Sequence, residues 1–141
     1  MNDKIKKITA EIIYLFLIFF FCYTAINKLL NIEAFRSNLM KTSVFNEYYA
    51  NIISLVVIGL EIVTVLILFF NKKLGLLILI ITMLAFTLYI SYLNFKGFYE
   101  VCGCGGILNG LSYKFHLIIN IALLFGSIYS YFTYNYLENA K

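Results

Sequence analysis

Two cysteines separated by one glycine, Cys102-Gly103-Cys104, followed directly by Gly105 and Gly106, are the residues of this chain best suited to covalent chemistry. A disulfide between them would close too small a loop to staple a fold, because stabilisation by cross-linking grows with loop length. So short a ring also departs from relaxed disulfide geometry, and strained bridges are the easily reduced, regulatory or catalytic ones. Gly103 permits the tight turn that such a ring requires. In an oxidising compartment the pair can cycle between dithiol and disulfide. Two other readings stay open. Paired thiolates also suit thiophilic ions, and Cys102, Cys104 and Cys22 together would make a soft-metal transfer site. A closed zinc site needs four ligands, which three cysteines and one histidine supply poorly. The third reading is a non-catalytic subunit or assembly factor in which the cysteines are incidental.

Three further side chains carry potential chemistry. Glu61 interrupts the apolar run Val57-Ile58-Gly59-Leu60-Glu61-Ile62-Val63. A carboxylate in a membrane helix is costly and turns toward the bundle interior. It is either a helix-orienting group bonded to Asn27, Asn120 or Thr24, or a proton acceptor coupled to redox chemistry. His116, the only histidine, is either a proton relay that tunes a thiolate or a polar anchor at the membrane interface. Asn120 lies one turn deeper on the same helix face, and Ser112 is placed to N-cap that helix. Cys22 reads as a small buried hydrophobe, with a resolving thiol as the functional alternative.

The elements that must position these residues follow from composition. Of 141 residues, 62% are apolar and only 13% charged, about half the charge of a soluble domain. The apolar residues gather into four segments of membrane-spanning length, 8–26, 52–70, 74–93 and 115–133, where roughly 20 suffice. Unbroken runs such as Leu74 through Ile81 lack the alternation of barrel strands. The chain contains no proline, so the commonest cause of a kinked helix is missing. Tyr and Phe crowd the segment ends as an interfacial belt. The expected fold is all-α: one four-helix transmembrane domain over 1–141. The basic start (Lys4, Lys6, Lys7) resembles a secretion signal, but the apolar stretch is long and no clean cleavage site follows, which predicts a retained helix. Nothing resembles a phosphate loop, a nucleophile–histidine–acid set or a nucleic-acid surface.

Basic residues set orientation. Both termini share one side with the turn Asn71-Lys72-Lys73, giving Lys4, Lys6, Lys7, Lys72, Lys73 and Lys141. The other side would hold Lys28, Arg36, Lys41, Lys96 and Lys114, diluted over two longer loops. The denser side is expected in the cytoplasm, which turns the cysteine loop outward. In the first outer loop, Ile32, Phe35, Leu39 and Met40 fall near helical spacing. A short amphipathic surface helix and a loop dipping apolar side chains into the interface fit this equally well.

With these residues in place, the chain resembles the DoxX-like superfamily and, within it, the MauE group of redox-associated membrane proteins. The resemblance rests on the step from Lys28-Leu29 to Phe35, on Glu61 in the second helix, and on Cys-Gly-Cys before the fourth. Family members often continue Cys-Gly-Cys-Phe-Gly, whereas Gly105 stands here in the place of the aromatic. The resemblance implies a location in the bacterial inner membrane and exchange with a periplasmic thioredoxin-like partner. It also implies a role in maturing disulfide-containing clients and a link to the quinone pool. Cys102 and Cys104 would be the exchanging pair, making any enzymatic activity that of a thiol–disulfide oxidoreductase.

Overall fold

The computed structural model describes residues 3–98 and 112–139. Within them the chain forms α1 (Asp3–Leu30), α2 (Ile32–Lys41), α3 (Glu47–Phe70), α4 (Lys72–Lys96) and α5 (Tyr113–Asn139). All but α2 are long and apolar enough to cross a membrane. At 24 to 28 residues each, they reach roughly 36 to 42 Å, against a hydrocarbon core of about 30 Å. Apolar side chains such as Phe19, Leu88 and Phe95 point outward from the bundle, as the lipid-facing surface of a spanning helix requires. The protein is an all-α integral membrane four-helix bundle, with one short additional helix among the described residues.

Every long helix runs past the apolar segment that announces it. Hydropathy falls at the first polar residues, but the backbone ladder continues until a local signal stops it. α1 thereby takes in Asn27 and Lys28 before the chain turns at Asn31, whose side chain donates to the Asn27 carbonyl at 3.0 Å. Asn46 caps α3 by accepting from the Tyr49 N–H at 3.0 Å. Asn71 serves two helices: its N–H donates to the Ile67 carbonyl at 2.7 Å, and its side chain accepts from Leu74 N–H at 3.1 Å. Gly97 ends α4 at φ 78°, where the N–H groups of Gly97 and Phe98 return to the carbonyls of Asn94 and Leu93. That left-handed closure favours glycine because it lacks a Cβ.

Around the bundle the order is α1, α3, α4, α5, with α5 closing on α1. Tyr14, Leu17 and Phe21 of α1 pack with Leu68, Leu76, Leu79, Met83 and Leu123 in the main core. Buried hydroxyls are mostly satisfied within their own helices, as in Thr64 to Leu60, Thr82 to Ile78 and Ser127 to Leu123. These small side chains let helices approach closely without orphaned polar atoms. α2 is a helix, resolving the first-loop ambiguity. It does not merely rest on the membrane: Phe35 and Leu39 are buried against Ala50 and Ile58 of α3.

The end that carries the start of α1 and the end of α5 is held by ion pairs. Lys72 Nζ donates to both Glu11 oxygens, at 2.8 and 3.0 Å, and stands over the rings of Tyr14 and Tyr134. The Tyr14 hydroxyl donates to the Leu68 carbonyl, and Lys73 pairs with Glu138 at 3.1 Å.

At Gly75 α4 lies close against α3, since an added Cβ would lie 2.6 Å from Leu68 Cα and 2.7 Å from its nitrogen. Backbone cannot move aside as a side chain can. Gly75→Ala is therefore expected to destabilise the bundle by about 1–3 kcal/mol. Gly59→Ala, with nothing within 4 Å of its added Cβ, should be neutral or stabilising by roughly 0.5–1 kcal/mol. Thermal unfolding of both variants in detergent checks the contrast; equal melting temperatures would contradict the close contact.

Candidate functional site

Lys28 and Glu61 are separated by a short helix and a turn in the sequence, yet they meet inside the bundle. Lys28 Nζ donates to Glu61 Oε1 at 2.5 Å, with the side chains 5% and 1% exposed. Side chains on a helix lean toward its N-terminus. From the last turn of α1, Lys28 leans back into the bundle. From the middle of antiparallel α3, Glu61 leans the opposite way, and the two converge. The charge count placed Lys28 in an outer loop; the structure corrects this, because the helix continues two residues beyond it. The partner expected for Glu61 was Asn27, Asn120 or Thr24, and it is Lys28 instead.

The ion pair forms one wall of a cavity of about 240 Å³. Lys28 Nζ also stands 5.7 Å from the centroid of the Phe86 ring and 6.0 Å from that of Phe35, distances at which a desolvated cation is attracted to an aromatic face. Thr24, His116 and Asn120 supply the remaining polar lining, and Phe20, Phe21, Phe45 and Tyr89 complete the aromatic walls. Phe45 and Tyr89 stack with centroids 6.4 Å apart. The second carboxylate oxygen, Glu61 Oε2, is buried and has no hydrogen-bond partner.

His116 is 2% exposed and Asn120 4%, so both side chains are enclosed by the bundle. His116 lines the same cavity as Lys28. Its backbone N–H donates to the carbonyl of Ser112, the residue preceding α5, and Tyr113 is within 3.2 Å of the Ser91 hydroxyl on α4. Cys22 is half-buried on α1 and packs against the main core. Cys102 and Cys104 lie outside the described residues. Among the described residues no group of three or more His, Cys, Asp or Glu side chains is arranged to hold a metal ion.

Sequence reasoning linked Asn120 to Glu61 and to His116 but did not bring Lys28 into the group that lines the cavity with them. The signal lay in the periodicity of α1. Among its buried residues, Ala10, Tyr14, Leu17, Phe21, Thr24 and Lys28 form a stripe with alternating steps of four and three, flanked by Ile18 and Ala25, and Lys28 continues that stripe.

Removing one partner from a buried ion pair leaves an uncompensated charge, which typically destabilises by about 3–5 kcal/mol; replacing both with apolar groups is often neutral. Lys28→Met and Glu61→Leu should each sharply lower the unfolding temperature in detergent. The double variant should recover most of the loss. A double variant as unstable as the sum of the singles would show that the two groups are not coupled.

Comparison with known proteins agrees with this architecture. The family model described as methylamine utilisation protein MauE matches residues 6–133, a span that runs from the first turn or so of α1 into the second half of α5 and includes both members of the ion pair. No curated protein and no solved structure matches the chain. The protein belongs to the MauE family of integral membrane proteins.

Proposed function

We propose that this protein is a membrane thiol–disulfide redox protein in which Cys102 and Cys104 exchange with a thioredoxin-like partner in the periplasm. The observation that carries this reading is Cys102-Gly103-Cys104-Gly105-Gly106 in the connection between two membrane helices. No stapling role accounts for so small a ring. The exchange balances: two thiols on one protein close to a disulfide while the disulfide of the other opens to two thiols, so two electrons and two protons change hands. Membership of a family described by methylamine utilisation is compatible with a role in maturing disulfide-containing clients.

The proposal includes an orientation. Lys4, Lys6, Lys7, Lys72 and Lys73 occupy short segments at the end where the chain starts, and such density marks the cytoplasmic face. The cysteine connection then faces outward from the bacterial inner membrane. The helix ends that flank it, at Lys96 and Tyr113, belong to the end of the bundle nearer the Lys28–Glu61 cavity.

Labelling intact cells with a membrane-impermeant maleimide tests the reading. Modification at Cys102 and Cys104 is expected only after reduction, with Cys22 protected inside α1. Cys102→Ser and Cys104→Ser should each expose the remaining thiol without reduction, leave membrane insertion intact and abolish client oxidation. Normal client oxidation in both variants would refute the proposal. Ready labelling without reductant, blocked by a thiophilic ion, would point to an ion carrier.

A further inference from the structure

The cavity beside the ion pair is long and narrow. Its lining runs from Phe20 to Lys28 on α1, from Ile53 to Glu61 on α3 and from Met83 to Ile90 on α4. Each stretch covers roughly two helical turns, or about 11–12 Å along the axis. Spread over that length, the cavity volume of about 240 Å³ leaves a section of roughly 20 Å², about 5 Å across. Carbon atoms in contact lie about 3.5–4.0 Å apart, so the cavity is as wide as one file of methylenes and not two. It has room for about ten carbons, since roughly 150 Å³ accommodates a benzene ring.

The chemistry of the walls agrees with that shape. Phe21, Phe35, Phe45, Phe86 and Leu39 supply much of the lining. The polar groups around them are closed off: the Lys28 and Glu61 side chains are 5% and 1% exposed. Glu61 Oε2 and the Tyr89 hydroxyl oxygen are buried, and the Thr24 hydroxyl donates to its own helix at the Phe21 carbonyl. A guest therefore meets rings and alkyl groups and needs no hydrogen-bonding head. Between α3 and α4 the lining reaches the outer surface at exposed Ala85 and half-buried Val57 and Phe86. Val56, Leu84 and Leu88 point outward from the same two helices, so the cavity is continuous with the surface that meets lipid.

We propose that this cavity binds one unbranched acyl chain of a bilayer phospholipid, which enters between α3 and α4 and lies along the helices. The chain supplies dispersion contacts to every wall, and acyl chains are the apolar guests that a bilayer holds in greatest supply. The site selects by shape: a straight chain fits its length and width, and a compact cage of equal carbon number overfills its width. This binding does not depend on the cysteines.

Photolabelling of the full-length protein in liposomes tests it, with a phosphatidylcholine that carries a diazirine near the middle of one acyl chain. Met83 and Ile90 line the cavity and are 2% and 1% exposed, out of reach of a lipid that stays outside the bundle. Leu84 and Leu88 face the bilayer. Adducts are expected on the inner pair as well as on the outer pair. n-Decane added to the membrane should suppress the inner adducts at least about fivefold more effectively than adamantane, in line with the cost of overpacking. Ala85→Phe narrows the entrance without touching the ion pair. It should remove the inner adducts and keep the outer ones, in a protein of unchanged helix content. Adducts confined to the outer pair would overturn the proposal. So would inner adducts that adamantane suppresses as well as decane does, or that survive Ala85→Phe. None of these outcomes bears on the maleimide labelling of Cys102 and Cys104.

Discussion

An ammonium and a carboxylate face each other in a hydrocarbon interior, and much of the bundle is arranged around that fact. Neither Lys28 nor Glu61 can be buried alone, because an isolated charge in such surroundings is strongly unfavourable. Their 2.5 Å contact therefore fixes the register of α1 against α3. Sliding either helix by one residue moves its side chain by about 1.5 Å along the axis and breaks the pairing while both groups stay buried. The same contact explains why α1 persists through Asn27 and Lys28. Had the helix frayed where its apolar run ends, Lys28 would be free to reach water and Glu61 would be left behind.

The two ends of the bundle differ in how they are held. At the end that carries the start of α1, Asn71 joins α3 to α4 in a single-residue turn, and the lysines that follow it pair with Glu11 and Glu138. These contacts are half-exposed, where an individual ion pair contributes little. The Lys72 ammonium adds two aromatic faces, and Gly75 brings the backbones into contact. The opposite end is more loosely filled. α2 covers it by burying Phe35 and Leu39 on α3, with Arg36 Nε donating to the Ser54 hydroxyl at 3.3 Å, and below that cover lies the cavity. The bundle is thus close-packed at one end and hollow at the other.

Hydrophobicity made the four spanning helices legible, because length and composition alone decide whether a segment can cross a bilayer. The helix ends were not legible, since they are set by caps such as Asn46, Asn71 and Gly97 and not by polarity. That boundary error had a chemical consequence. Cutting the first segment at residue 26 put Lys28 in a loop, and with it out of reach the partner of Glu61 was sought among amides and hydroxyls. His116 was hidden for a related reason: a lone histidine near a helix start reads as interfacial, and only the packing of α4 against α5 shows it to be enclosed. α2 was visible as a spacing of Ile32, Phe35, Leu39 and Met40, but that spacing could not say whether its apolar face met lipid or protein.

The features that carried the family resemblance, Lys28 with Phe35, Glu61 and the cysteine pair, are far apart in the sequence and looked independent there. The structure unites the first two in one interaction, with Lys28 between the Glu61 carboxylate and the rings of Phe35 and Phe86. The cysteine pair belongs to the connection between α4 and α5, and those two helices contribute Phe86, Tyr89, His116 and Asn120 to the same cavity. A change in the connection that shifted either helix would therefore be felt by groups around the ion pair. Conversely, occupation of the cavity would press on the two helices from which the connection springs. Chain connectivity alone thus gives the thiol pair and the buried charges a shared mechanical support, whatever chemistry each performs.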